Sequence, residues 1–149
     1  MKKAICILLL TGFAFTAHAQ SSIDSVKAVL NNLFTAMKTS DAVLLKSVFT
    51  DSAILQTINT RGGKAVVETD EVSAFIESIS KLPAGDADEQ IKFDVIKVDA
   101  DLAIAWTPYK FYYKSKFSHC GVNSFQLVRI NKEWKIQYII DTRRRSNCE

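Results

Sequence analysis

The 149-residue chain has no glycine-rich phosphate loop, no His-Glu-x-x-His metal helix and no Gly-x-Ser-x-Gly nucleophile elbow. Nothing in the sequence is built to cradle a phosphate, hold a catalytic zinc or present an activated serine, so cofactor-dependent chemistry is not expected and no cofactor is assigned. Histidine is scarce: only His18 and His119 occur, and His119 beside Cys120 leaves too few soft ligands for a zinc site. The acidic stretch Asp86-Ala87-Asp88-Glu89 lacks the twelve-residue calcium pattern and its closing bidentate Glu, and reads as a solvated loop after Pro83. No internal repeat and no linker divides the chain. Beyond the first fifteen residues there is no second long apolar run, so no integral membrane association is expected.

An excess of one charge is also missing. Lys and Arg total 19 against 16 Asp and Glu, and two of the lysines, Lys2 and Lys3, stand at the very start. Without them the balance is 17 minus 16, or +1. Scattered, nearly compensated charge gives no electrostatic footprint for nucleic acid.

What the start of the chain does contain is a leader. Lys2 and Lys3 precede an apolar run from Ala4 to Phe15, and Ala17-His18-Ala19 supplies the small residues accepted at a cleavage site. The run falls short of the roughly 20 residues that cross a bilayer. Residues 1–19 are therefore expected to be a signal peptide, and residues 20–149 a single exported domain, periplasmic or extracellular. Cys6 goes with the leader. Cys120 and Cys148 remain, either as a disulfide suited to an oxidising compartment or as one buried and one loose thiol.

The mature part reads helices first and strands last. Ser22 is placed to cap a helix carrying Ile23, Val26, Leu30, Leu33, Phe34 and Met37 on one face, and Ser40 to cap a shorter one with Val43, Leu44, Val48 and Phe49. Ala53 to Ile58 and Lys64 to Glu68 read as a hairpin about Gly62-Gly63. A third helix is expected from about Asp70 to Ser80. Ile91, Phe93 and Val95 then alternate with polar residues, and three long antiparallel strands follow: Leu102 to Tyr113, Phe117 to Ile130 and Glu133 to Ile140. Both faces of these strands are apolar. Helices are expected to cover one and a second copy of the chain the other, giving a homodimer through the sheet face.

This order, together with Trp106-Thr107-Pro108-Tyr109-Lys110-Phe111-Tyr112, Phe117-Ser118-His119-Cys120-Gly121, Phe125-Gln126-Leu127 and Trp134-Lys135-Ile136 followed by Asp141-Thr142-Arg143-Arg144, resembles the nuclear transport factor 2 (NTF2)-like superfamily. Within it the chain is similar to the exported bacterial branch described as SnoaL-like, DUF4440-like or "putative lumazine-binding". The resemblance implies an α+β, cone-shaped, cystatin-like fold, with three helices from the N-terminal half on a curved, mostly antiparallel sheet. It also implies an interior cavity suited to a small apolar or aromatic molecule.

Several residues are candidates for that cavity. His119 is either a proton shuttle or a strand-end histidine bonded locally. Asp141 either orients His119 and acts as a base or pairs with Arg143 or Arg144. Tyr109 and Trp106 lie three apart on one strand and so point to opposite faces, one toward a ligand. Asp51 falls loosely where isomerase and dehydratase relatives carry a catalytic aspartate, or it closes a helix with Thr50. Arg143, in the run Arg143-Arg144-Arg145, either binds an anionic group or is solvated. Three functions remain in view: a binding module for a small hydrophobic or aromatic ligand; a cofactor-free lyase, isomerase or cyclase using His119 with Asp141 or Asp51; and a structural domain whose cavity is filled by Phe34, Phe75 and Phe93.

Overall fold

A computed structural model describes residues 14–148. Most of the leader expected over residues 1–19 lies outside the described residues. The Ala17-His18-Ala19 segment falls within the first helix, α1 (Ala14–Thr39), so Ser22 is interior to a helix rather than its cap. The expected face is the buried one: Val26, Leu30, Leu33, Phe34 and Met37 all pack into the core. Ser40 then takes a positive φ of 56°. The cap of the next helix, α2 (Ala42–Ser47), is instead Asp41, whose carboxylate accepts from the amides of Val43 and Leu44 at 3.0 and 2.9 Å. An aspartate in extended backbone satisfies two orphan amides at once, which a serine in the left-handed region cannot do. Val48 ends α2, and Phe49 already belongs to β1 (Phe49–Arg61), longer at both ends than the apolar pattern implied.

Gly62 and Gly63, with φ of 56° and 78°, form the two-residue turn into β2 (Lys64–Asp70), which pairs antiparallel with β1. Asp70 therefore closes a strand, and α3 runs Val72–Ser80. The loop expected through Glu89 ends sooner: Ala87–Ile91 is a strand, β3, paired antiparallel with β5 (Leu102–Tyr113). Ala87 is buried and Ile91 packs on the core, so Glu89 between them faces inward as well. Beyond it, β4 (Val95–Asp99) pairs with the same strand β5. Ile91 faces Tyr109 and Val95 faces Trp106, so four steps on one strand match three on the other. That extra residue is a bulge, and it reverses the alternation. Phe93 packs inward while Val95 is exposed, and Ile96 and Val98 take the inner face instead.

β6 (Lys116–Ile130) and β7 (Glu133–Thr142) complete one sheet in the order β2-β1-β7-β6-β5-β3, antiparallel throughout except for the parallel pair β1 and β7. Register shifts at Phe49/Ile54, Phe111/Tyr112 and Gln126/Leu127 bend the long strands. The helices pack on one face, where Phe34 meets Phe125 edge-on at 6.2 Å. The architecture is the expected α+β arrangement of three helices against a mostly antiparallel sheet. The other face leaves Ile104 and Trp106 exposed.

Candidate functional site

Between the helices and the inner face of the sheet lies a cavity of about 370 Å³. Its wall is mostly apolar, with Leu33, Phe34 and Met37 from α1, Phe75 and Ile79 from α3, and Phe125 from β6, interrupted by Gln56, Asp70 and Ser78. Phe34 and Phe75 line the space without filling it, which removes the argument for a closed, purely structural core. Phe93 packs against the core outside the lining. Volume and lining are of the kind that receives a small organic ligand.

The floor is polar, and sheet register assembles it. Odd-numbered residues of β5 and β6 point inward, so Tyr109 lies opposite Gly121, and Asn123 stands between Thr107 of β5 and Asp141 of β7. The Tyr109 hydroxyl reaches across β6 and shares its proton between Asp141 Oδ2 (3.1 Å) and the Thr142 carbonyl (3.0 Å). Arg143 donates from Nε to the same Asp141 oxygen at 2.9 Å and from Nη2 to the buried Thr57 hydroxyl of β1 at 3.0 Å. From β3, Glu89 accepts a hydrogen bond from Asn123 Nδ2 at 2.7 Å. His119 stands between Tyr109 and Phe111, with ring centroids at 5.7 and 5.1 Å, and its Nδ1 is 3.0 Å from the Ser118 hydroxyl.

The electrostatics follow from this geometry. Burial pushes the Glu89 carboxyl up to about 7; the bond from Asn123 opposes the rise, the charge of Asp141 adds to it, and Arg143 opposes it again. Burial and the neighbouring carboxylates hold the Tyr109 phenol well above its ordinary range, so it stays protonated. For Arg143, burial works against the charge, but the bond to Asp141 and that carboxylate's charge outweigh it and raise its pKa. His119 is lowered, first by burial and then by Arg143. Its ring is neutral near pH 7.

Of the residues singled out in the sequence, Tyr109, His119, Asp141 and Arg143 meet in this cavity. Asp141 pairs with Arg143 and Tyr109 and makes no bond to His119. Of the pair expected to face opposite sides, Tyr109 is the one turned to the cavity at 4% exposure, while Trp106 is 46% exposed on the other face of the sheet and does not line the cavity. Asp51 is corrected, since it is exposed near the start of β1 and away from the cavity. Cys120 and Cys148 are bonded, with their Cα atoms 5.8 Å apart. Glu89, Asn123 and Thr57 were missed. The inward alternation of Ala87, Glu89 and Ile91 was the available signal for Glu89, masked by three acids in four residues.

Among the described residues no group of three or more His, Cys, Asp or Glu is arranged to hold a metal ion, and no helix is long and apolar enough to cross a membrane.

Comparison with known proteins agrees with the architecture. No curated protein is significantly similar in sequence. Among solved structures, an NTF2-like protein of unknown function from Shewanella baltica superposes with a TM-score of 0.67 at 12% identity, covering 85% of this chain and 97% of that one. An NTF2-like protein with a cystatin-like fold from Novosphingobium aromaticivorans gives 0.71 at 12% identity, covering 93% and 92%. A "putative dehydratase" of the NTF2-like family from Streptomyces avermitilis gives 0.62 at 14%, covering 84% and 97%. At these identities the likeness speaks for the fold alone. The family described as "Putative lumazine-binding" matches residues 21–138, most of the chain, and the chain therefore belongs to that branch of the NTF2-like superfamily.

Proposed function

We propose that this protein binds a small, largely aromatic molecule in its interior cavity. The observation that carries the reading is the cavity's two-sided chemistry: an apolar wall from α1, α3 and β6 faces a floor of fixed hydrogen-bonding groups, Glu89, Asn123, Asp141 and Arg143. Such a site stacks and desolvates a ring on one side while orienting its polar edge on the other. The family description supports the same class, and lumazine is the natural first probe. Titration calorimetry with lumazine and with two-ring aromatic probes is expected to show saturable one-to-one binding, abolished by Ala74→Trp at the cavity wall. Absence of binding by every probe would sink the reading. The protein is further proposed to act outside the cytoplasm after removal of residues 1–19; an N-terminus other than Gln20 in the exported material would contradict the cleavage.

A second reading, a cofactor-free acid–base enzyme, is favoured by one observation: Glu89 lines a ligand-sized cavity together with Asp141, and burial there pushes its carboxyl up to about 7, which poises it to take and return a proton. Glu89, rather than His119 or Asp51, would be its base. Deuterium uptake from solvent into an enolisable ring ketone, lost in Glu89→Gln, is the expected signature, and exchange at the uncatalysed rate would remove it.

A further inference from the structure

The groups on the cavity floor are not equally available to a ligand. Tyr109 has one proton, and Asp141 and Thr142 share it. Asn123 spends a donor on Glu89 Oε1. Arg143 is held by Asp141 through Nε and by Thr57 through Nη2, which leaves its Nη1 amino group and one Nη2 hydrogen unspent, while its charge already faces a carboxylate at 2.9 Å. Glu89 lines the cavity, and its Oε2 receives no hydrogen bond. The floor therefore offers two carboxylate oxygens that lack a donor, Glu89 Oε2 and Asp141 Oδ1, the latter on a carboxylate already paired with Arg143, and one guanidinium with spare donors but compensated charge.

From this pattern we infer, building on the binding reading above, that the ligand presents a neutral amide or imide edge, with a ring N–H donated to Glu89 Oε2 and a ring carbonyl accepting from Arg143. A carboxylate or phosphate on the ligand is excluded by the same inventory. It would bring a further negative charge against Glu89 and Asp141, and among the described lining residues the one Lys or Arg, Arg143, is already paired with Asp141. Burial raises the Glu89 carboxyl to about 7, and its one donor, Asn123, opposes the rise without cancelling it. A ligand N–H stabilises the carboxylate, so binding at pH 6 releases a proton from Glu89. His119 contributes no positive charge at neutral pH, since burial and Arg143 hold its pKa down.

The test uses two probes of one size and opposite edge, 2-quinolinone as the neutral lactam and 2-naphthoate as the anion, titrated into the full chain in two buffers of different ionisation heat. The lactam is expected to bind at least tenfold more tightly, with proton release at pH 6 that vanishes at pH 8.5. In Glu89→Gln the amide oxygen stays on Asn123, and its NH₂ group turns a donor toward the ligand. Lactam affinity then falls about tenfold, proton release disappears and 2-naphthoate gains. A wild-type preference for 2-naphthoate, or lactam binding without proton release, overturns the inference while leaving the cavity a binding site. Failure of both probes to bind overturns the inference and the binding reading together.

Discussion

The Tyr109 hydroxyl bonds to Asp141 across an intervening strand, and it does so because the residue beneath its ring is Gly121. A Cβ built on Gly121 would collide with the Thr142 carbonyl and stand 2.9 Å from Tyr109 Cε1. The missing side chain lets β6 and β7 close up and opens the lane through which the phenol reaches Asp141 and Thr142. Gly121→Ala is thus expected to force the strands apart and displace Tyr109, at a cost of about 2–3 kcal/mol. Urea denaturation would measure it, and an unchanged midpoint would show that the lane is not needed.

Glu89 sets a pH dependence whose sign is fixed by its raised pKa. Between the ordinary carboxyl value of 4.5 and about 7, the folded chain holds a proton that the unfolded chain has lost, so stability declines as pH rises through that window and levels off above it. The size is roughly 2–3 kcal/mol, less where solvent reaches the carboxyl through the cavity. Glu89→Gln keeps an acceptor for Asn123 and removes the charge. Its melting temperature is expected to exceed wild type at pH 8 and to approach it at pH 4.5. Equal melting temperatures at both pH values would mean that Glu89 is not held near neutrality. His119 acts in the other direction: its lowered pKa costs stability as pH falls below 6.5.

How much of this was legible in the sequence depends on what positions each residue. The buried stripe of α1, the Gly62-Gly63 hairpin and the long strands follow from local periodicity, and all are present. The opposite facing of Trp106 and Tyr109 follows from strand parity, although parity alone does not say which of them faces the cavity. Glu89 was lost because three acids in four residues resemble a loop, although it alternates in phase with Ala87, Ile91 and Phe93; the bulge beyond Ile91 misplaces only Val95. The contacts that make a site, Tyr109 to Asp141 and Asn123 to Glu89, join residues more than 30 positions apart. They depend on register, which no local pattern contains.

The disulfide carries a prediction of its own. Cys120 and Cys148 close a span of 28 residues, worth about 3–4 kcal/mol by chain entropy. Their bond holds down a tail whose backbone otherwise pairs with Cys120 through Arg144. Arg143 and Arg145, on that tail, both depress the His119 pKa. Cys148→Ser is therefore expected to lower stability and to raise the His119 titration midpoint, followed by proton NMR of its ring. A loss of stability with an unmoved His119 would mean that Arg143 keeps its place through Asp141 and Thr57 alone.

The outer face of the sheet bears on assembly. Trp106 is 46% exposed and Ile104 41%, on a strand whose inner residues Ala103 and Ala105 are buried, so the exposure belongs to the face and not to a frayed edge. Large apolar groups side by side on an exposed sheet face favour burial against another surface, and the same face of a second copy offers a matching one. The proposed homodimer is expected to lose this contact in Trp106→Glu, which puts a charge at its centre but touches nothing in the monomer core. Sedimentation equilibrium should then show a dimer for wild type and a monomer for the variant, with thermal stability at low concentration changed by less than about 0.5 kcal/mol. A wild-type monomer at high micromolar concentration would dismiss this face as a dimer interface. A dimer that survives Trp106→Glu would place the interface elsewhere on the molecule.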